Sequence, residues 1–405
     1  MNQAGSRVLI VGAGIFGVTA ALALCRRGYS VSLLDMGPLP HPLAASTDIS
    51  KVIRMDYGSD EDYTAWMEEA MEGWRRWNRD LFTATGPLFH ESGVTSLSRA
   101  PLRKGGFEYE SYELLRRRGH HPERLSASDI RRRFPAWNAE VFVDGYYNPE
   151  GGYAESGKVV SRLLELAEQA GVALLSGPEN RIERLLTDST PAAVCGVITA
   201  GGQLLRADLV VLTVGAWTPH LLPETASYLR SSAQPVFHLR PQNPSLYEAA
   251  RFPTFFADIA NSGYYGFPLS REGVVKIANH GAGQPMHPES PQRLVSAAQI
   301  AELRTFLRMA FPELVDAPIV YTRICLYSDT WDEHLWIARD PDRPGLLLAT
   351  GDSGHAFKFA PVLGDLIADA LEGRTSGRTG HLLHKFRHRP DLRPQRGEEA
   401  ARYHG

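Results

Sequence analysis

Arg7-Val8-Leu9-Ile10-Val11-Gly12-Ala13-Gly14-Ile15-Phe16-Gly17 is the stretch on which the fold turns. Val8 to Val11 is an apolar run with the length of a strand buried on both faces, and three glycines follow it at G-x-G-x-x-G spacing. Val18 to Arg27 then reads as a helix closed by Gly28, and a second apolar run, Val31-Ser32-Leu33-Leu34, leads directly into Asp35, 18 residues beyond Gly17. Strand, glycine turn, helix, strand and acid in that order describe a dinucleotide site. Gly12 permits the tight turn, Gly14 lets a pyrophosphate approach the backbone, and Gly17 brings helix and sheet together. The helix N-terminus offers free N–H groups to phosphates, and Asp35 is placed to accept from a ribose hydroxyl. The motif does not distinguish FAD from NAD. Val8 to Cys25 is uncharged and flanked by Arg7 and Arg26-Arg27, so length alone would admit a membrane span or a signal sequence, but the internal turn argues against both.

The 405 residues carry 43 Lys and Arg against 46 Asp and Glu, a net charge of −3, and 43% are hydrophobic. That balance excludes a disordered chain and offers no field for holding a polyanion, so nucleic acid is not an expected partner, and neither is a membrane. The length predicts two or three structural units. Three widely separated cysteines, Cys25, Cys195 and Cys325, are no disulfide framework and fit a reducing compartment, with Cys25 and Cys195 read as core filling.

Further along, Ser59-Asp60-Glu61-Asp62 resembles a capping box opening a helix whose Tyr63, Trp66, Met67, Ala70, Met71, Trp74 and Trp77 form a core-facing stripe. Gly86 to Tyr147 reads as loops and short segments, with Arg116-Arg117-Arg118-Gly119-His120-His121 as a solvated loop. A helix carrying Val159, Val160, Leu163, Leu164 and Ala167 and a strand at Val172 to Leu175 follow, then a buried strand from Ala207 to Ala216. Sheet-like texture covers Gln234 to Lys276, a helix Ile300 to Met309, a strand Gly345 to Thr350 and a helix Pro361 to Leu371. The expected architecture is α/β plus antiparallel sheet. A Rossmann-like nucleotide unit is built from 1–85, 150–225 and 322–380, a sheet-rich substrate unit from 86–149 and 226–321 is inserted into it, and 381–405 forms a loosely held tail.

The first motif stands with Ala45-Ser46-Thr47-Asp48-Ile49-Ser50-Lys51-Val52-Ile53-Arg54, Tyr264-Tyr265-Gly266-Phe267-Pro268, Arg323-Ile324-Cys325-Leu326-Tyr327 and Gly354-His355-Ala356-Phe357-Lys358-Phe359. Together these resemble the monomeric sarcosine oxidase, fructosyl-amino-acid oxidase (amadoriase) and saccharopine and pipecolate oxidase family, in order and over nearly the whole chain. The resemblance implies a D-amino-acid-oxidase-like fold and an FAD enzyme that oxidises a C–N bond of a secondary amine to an imine, with oxygen reduced to hydrogen peroxide. Cys325 matches the cysteine that holds flavin covalently. Lys276 matches the lysine placed for oxygen reduction, with Tyr265 and His280 around it and Lys51 as a second candidate. Lys51 departs from the sarcosine-type members, which have Arg there, and agrees with the fructosyl type, so sarcosine itself is in doubt as substrate.

Arg54 and Lys358 are expected to converge on a substrate carboxylate, with His355 and Tyr327 in the same centre; the alternative is that Arg54 pairs with Asp48 or Asp56. The cofactor is expected on Gly12, Gly14, Ile15, Phe16, Gly17, Asp35, Ser46, Thr47, Lys51, Gly215, Trp217, Cys325, Gly354, His355, Phe357 and Lys358. Only six of the 43 basic residues are lysines, and three of them, at 51, 276 and 358, fall inside these motifs, where a compact ammonium does what a planar guanidinium cannot. The bland alternatives are an edge-strand lysine reaching water at 276 and surface charges at 51 and 358. A flavin- or NAD-dependent dehydrogenase using another electron acceptor is the competing function, and a non-catalytic flavin-fold binding module is the third. No metal is expected, the partners are a small amine and oxygen, and a cytoplasmic monomer is the default, since Arg402-Tyr403-His404-Gly405 is no Ser-Lys-Leu-type address.

Overall fold

The apolar run at the start of the chain becomes the strand Arg7–Val11, and it lies inside a six-stranded sheet. The structure is a computed structural model and describes residues 5–188 and 193–393. Across the sheet the order is Trp336–Arg339, Leu346–Thr350, Leu209–Leu212, Arg7–Val11, Ser30–Asp35 and Ala173–Ser176. All neighbours are parallel except the first pair, and the register sets Val8 beside both Leu209 and Val31. Parallel strands are buried on both faces, which is why these read as unbroken aliphatic runs. The helix Ile15–Arg26 begins directly after the glycine turn and packs on the helix Ala360–Glu372 from the far end of the chain.

Two glycines are required sterically at this turn. Gly12 has φ +98, and a Cβ there would stand 2.5 Å from the Thr213 carbonyl oxygen; a Cβ on Gly17 would stand 1.8 Å from the Gly12 oxygen. The expected aromatic stripe lies on the helix Glu61–Asp80, capped by Asp60, whose carboxylate accepts from the Tyr63 N–H at 3.0 Å. Tyr63, Trp66, Met67, Ala70, Met71 and Trp74 are all buried against the nucleotide-binding layer, each large side chain contributing about 1.5–3 kcal/mol by leaving water.

A second sheet of nine strands runs Gln284–Pro285, Leu229–Leu239, Val275–Asn279, Tyr264–Gly266, Thr254–Ala257, Val94–Ser98, Asp144–Asn148 and Glu123–Ser126, with Ile319–Thr330 paired on the other side of Leu229–Leu239. Its aromatic core gathers Trp137, Phe252, Phe255, Phe306 and Phe311. The strand Ile319–Thr330 corrects the boundary expected at 322. Gln234 sits opposite Cys325 in the antiparallel ladder between these strands, so Cys325 belongs to the inserted sheet and not to the nucleotide-binding one.

Four other expectations need correction. Residues 86–147 contain a full helix, Phe107–Arg117, whose apolar face is short enough to have been masked by the charges beside it. The run Arg116 to His121 is exposed as expected except at His120, which lies between Glu150 at 2.8 Å and Glu68 at 3.0 Å, where Arg118 also grips Glu68 with two nitrogens of its fork. The strand expected to reach Ala216 ends at Leu212, and Gly215–Trp217 is a 3₁₀ turn. Cys25 and Cys195 are half-buried rather than core, the Cys25 thiol donating to the Ala170 oxygen at 3.0 Å.

The tail is also better held than expected. Gly377–Lys385 is a helix, Phe386 is fully buried, His388 stacks on Trp336, and Arg389 pairs with Asp332 at 2.7 Å. The Arg402–Gly405 end lies outside the described residues. Among the described residues no helix is long and apolar enough to cross a membrane. Arg389 and Asp332 are only 11% and 7% exposed, so Arg389→Met should cost about 3–5 kcal/mol in urea unfolding by leaving a buried carboxylate unpaired. Arg378→Met, at a pair 44% and 48% exposed, should cost about 1 kcal/mol or less. Equal effects would show that the tail is not anchored through Arg389.

Candidate active site

The glycine turn opens into a cavity of about 600 Å³ that runs past the ends of the parallel strands. Gly12, Gly14, Ile15, Phe16, Asp35, Ser46, Lys51, Gly215, Trp217, Tyr327, Gly354 and Phe357 line it, as expected of cofactor contacts or, for Tyr327, of the catalytic centre. Asp35 also braces the turn, accepting from the Ala13 N–H at 2.8 Å and the Gly37 N–H at 3.1 Å. Gly17 does not line the cavity; it presses the helix onto Gly12 and the Thr213 hydroxyl, its expected packing role. Thr47 is not a lining residue either, and its buried hydroxyl has no hydrogen-bond partner, nor has the nearby Ser50 hydroxyl. Thr213, whose hydroxyl donates to Val11 and Gly12 oxygens at 2.7 Å, and Asp352, pushed up to about 6 by burial and Asp329, are wall residues that sequence reasoning missed. At the other end His41, His220, His287 and Glu289 also line the cavity, and Glu289 accepts from Trp217 Nε1 at 3.2 Å. Nothing local in the sequence marks these four.

Beyond Lys51 and Tyr327 the wall becomes a cluster of cations and rings. Lys51 Nζ lies 3.8 Å from Cys325 Sγ, which is buried beside Ala45, Val236, Ala278 and Tyr327. Burial opposes the Lys51 charge, but the Cys325 thiol, Asp48 and Tyr265 outweigh it and its pKa is raised. Lys276 is 1% exposed, not a strand-edge lysine reaching water; its ammonium donates to Asp48 Oδ2 at 2.7 Å and to the Ser50 oxygen at 2.5 Å and stands 4.6 Å from the Phe267 ring centre. Burial first, and then repulsion from Lys51, outweigh Asp48 and push Lys276 down to about 8. Asp48 shows the opposite balance: burial works against its charge, yet Lys276, His238, Lys51 and Arg323 hold it well below the usual carboxylate range. Tyr327 bonds to His280 Nδ1 at 3.4 Å, and Tyr265 packs edge-on to His280, its phenol pushed up by burial.

Arg54 and Lys358, each 4% exposed, flank Tyr57, a residue the sequence reading did not select. The Arg54 guanidinium carbon lies 5.4, 5.3 and 4.6 Å from the ring centres of Tyr57, Phe107 and Phe256. It donates to the Asp56 backbone oxygen, while Asp48 is taken by Lys276. Lys358 Nζ donates to the Tyr57 hydroxyl at 3.0 Å, and the Lys358 backbone oxygen is fixed by Trp74 Nε1 at 2.7 Å. His355 holds Tyr57 through Nδ1 at 3.0 Å. Neither His355 nor Lys358 lines the large cavity, although Gly354 and Phe357 beside them do.

A cavity that starts at a glycine turn and the N-terminus of the helix Ile15–Arg26, with an acid at the second strand end, fits a dinucleotide cofactor. A family model described as FAD dependent oxidoreductase (DAO) matches residues 7–370. The chain belongs to this family. Similar proteins include monomeric sarcosine oxidase of Bacillus sp. (strain B-0618), 27% identical over 91% of this chain and 93% of that one. L-saccharopine oxidase of Schizosaccharomyces pombe is 27% identical over 91% and 90% of the two chains. Amadoriase II of Aspergillus fumigatus, a fructosamine oxidase, superposes with a TM-score of 0.82 at 27% identity, covering 96% of this chain and 90% of that chain.

In this FAD oxidoreductase the ion pair between Asp48 and Lys276 has a measurable signature. Lys276 binds its proton less tightly when folded, at about 8, than at its ordinary 10.5, so the unfolded state holds more protons between those values and stability rises with pH across that window. In Asp48→Asn the counter-charge is gone, the folded value falls further, and the rise should begin at lower pH. Urea midpoints between about pH 6 and 10 check this; parallel curves for variant and wild type would show that Asp48 does not support the Lys276 charge.

Proposed function

We propose that the protein is an FAD-dependent amine oxidase that oxidises the C–N bond of a secondary amine in an amino-acid-like substrate, N-alkyl, cyclic or sugar-adduct, to an imine, with oxygen reduced to hydrogen peroxide. The observation that carries this reading is the convergence of Lys51, Arg54, Lys276 and Lys358, drawn from three distant chain segments, on one aromatic-walled region that shares Lys51 and Tyr327 with the dinucleotide cavity. FAD, when bound, supplies the two-electron acceptor. The relatives support the substrate class, since their names give sarcosine, L-saccharopine, N-methyl-L-tryptophan and fructosamine as what those proteins oxidise, and each is a secondary amine.

The chain's own residues then divide the work. Arg54 and Lys358 bind the substrate carboxylate, an arginine fork and a point charge on either side of Tyr57. Lys276, held by Asp48, provides the fixed positive charge for oxygen reduction, and Lys51 shares it. The rings of Phe107, Phe256, Phe267 and Tyr265 keep water out. Cys325 holds the FAD covalently, with the Lys51 ammonium 3.8 Å from its sulfur.

An anaerobic panel of N-alkyl, cyclic and sugar-adduct amino acids, read by flavin bleaching, tests the function. At least one amino acid should bleach the protein and its methyl amide should bind more weakly by about 1.5–3 kcal/mol, the loss of a charged hydrogen bond. A protein that no secondary amine bleaches is not an amine oxidase, and equal binding of acid and amide would remove Arg54 and Lys358 from carboxylate recognition. Admitting air should restore the colour with peroxide; slow recovery would favour another electron acceptor.

The covalent link has its own test. Acid-precipitated wild type should stay yellow, and Cys325→Ala should release its FAD to the supernatant. A colourless wild-type pellet would exclude the link.

A further inference from the structure

The hydrogen bonds around Tyr57 have a direction that the chemistry of their ends fixes. His355 Nε2 meets the Glu333 backbone oxygen at 2.9 Å, and a carbonyl oxygen only accepts, so Nε2 carries the proton. In the neutral ring Nδ1 is then the acceptor, and the Tyr57 hydroxyl donates to it at 3.0 Å. Lys358 Nζ has only protons to give and donates to the same Tyr57 oxygen at 3.0 Å. The chain therefore runs Lys358 to Tyr57 to His355, and His355 is only partly buried, beside Gly354 in the wall of the cofactor cavity. The ring of Tyr57 lies between the two buried cations, 5.4 Å from Arg54 and 4.7 Å from Lys358, so a substrate held by both must lie against it.

We propose that Tyr57 and His355 form a proton relay that takes the ammonium proton of the bound substrate onto the His355 ring, with Tyr57 as the residue touching the substrate nitrogen. This rests on the amine-oxidase reading above. A secondary amine arrives at neutral pH as an ammonium, and its nitrogen must be neutral before the adjacent C–H bond is oxidised. The transfer balances without a co-reactant. The N–H bond of the ammonium breaks and its proton joins the Tyr57 oxygen, while the Tyr57 proton moves to His355 Nδ1. The neutral imidazole becomes imidazolium, and the Nε2–H bond to Glu333 is kept. The positive charge passes from the substrate to the His355 ring. Tyr63 and Tyr57 pack edge-on to His355, the Glu333 backbone oxygen meets it from the turn after the Cys325 strand, His334 packs on the Tyr63 ring, and the Asp352 backbone oxygen accepts the His355 N–H at 2.9 Å.

The test compares wild type, Tyr57→Phe and His355→Gln, all FAD-loaded. Flavin reduction by an accepted secondary amine is followed anaerobically across pH, and a carboxylate ligand with a thioether sulfur in place of nitrogen is titrated in parallel. At pH 7 both variants should reduce about 100- to 10,000-fold more slowly, the range of general acid–base catalysis. Their rates should climb with the fraction of free amine in solution and approach wild type near the amine's own pKa. The thioether, which carries no proton, should bind all three proteins equally, showing that the fold and the carboxylate contacts are intact. Independently, ¹⁵N resonances of His355, assigned by their loss in His355→Gln, should show the neutral Nε2–H form in the free enzyme. Superimposable pH profiles in wild type and both variants, or an Nδ1–H form of His355, would overturn the relay while leaving the amine oxidase in place. If no secondary amine reduces wild type, the function and the relay fall together.

Discussion

Lys276 and Asp48 share one buried ion pair, and the geometry of the whole centre hangs from it. The two residues are 228 positions apart, one on the strand Val275–Asn279 of the inserted sheet and the other in the segment that leaves the nucleotide-binding sheet. Removing both charges from water is expensive, and the attraction between them repays it only where other groups complete the hydrogen bonding. Here the Ser50 oxygen takes a second Lys276 proton, the Ile49 N–H donates to Asp48 at 2.7 Å, and the Phe267 ring covers the ammonium. The pair therefore fixes the backbone of residues 48–50, and with it the position of Lys51 and Arg54 immediately downstream.

Arg323 reinforces the same junction from a second strand. Its guanidinium donates to the Thr47 oxygen and to the Ala44 oxygen at 3.2 Å, tying the segment before Asp48 to the strand that carries Cys325. Residues 44–54 are thus stitched to the inserted sheet at two places while Ala44, Ala45, Ser46 and Lys51 line the cavity of the other unit. The contact between the Cys325 thiol and the Lys51 ammonium, and the covalent hold proposed for Cys325, require this arrangement, because thiol and ammonium come from opposite sides of the junction and meet only if its register is right.

What the sequence shows of this architecture follows from the range of the interactions. Strand, glycine turn and helix at Arg7–Arg26 are legible because each depends on neighbours within a turn or a pleat, and the Trp and Met stripe of Glu61–Asp80 is legible because a helix buries one face at a fixed period. The residue types at 51, 54, 276, 325, 355 and 358 stand out through motif context. Their partners do not. Nothing near Lys276 points to Asp48, and nothing near Tyr57 points to His355, 298 residues away; these contacts exist only once two sheets have docked. The same limit explains the misplaced boundary at 322, since a strand's sheet is decided by its ladder partner and not by its own apolar pattern. His120 was read as solvated because the carboxylates that hold it come from Glu68 and Glu150, each far along the chain.

On the proposed amine-oxidase reading, the charges of this centre act on the bound amine as well as on its carboxylate. Asp48 compensates Lys276 directly, but Lys51 rests against a thiol, and its repulsion is strong enough to help bring Lys276 down to about 8. Arg54 packs against three rings whose faces stabilise a cation. A zwitterionic amino acid entering this field is drawn in by its carboxylate and opposed at its ammonium. The same potential that binds one end therefore lowers the proton affinity of the other, so recognition and activation of the substrate are two consequences of one distribution of charge.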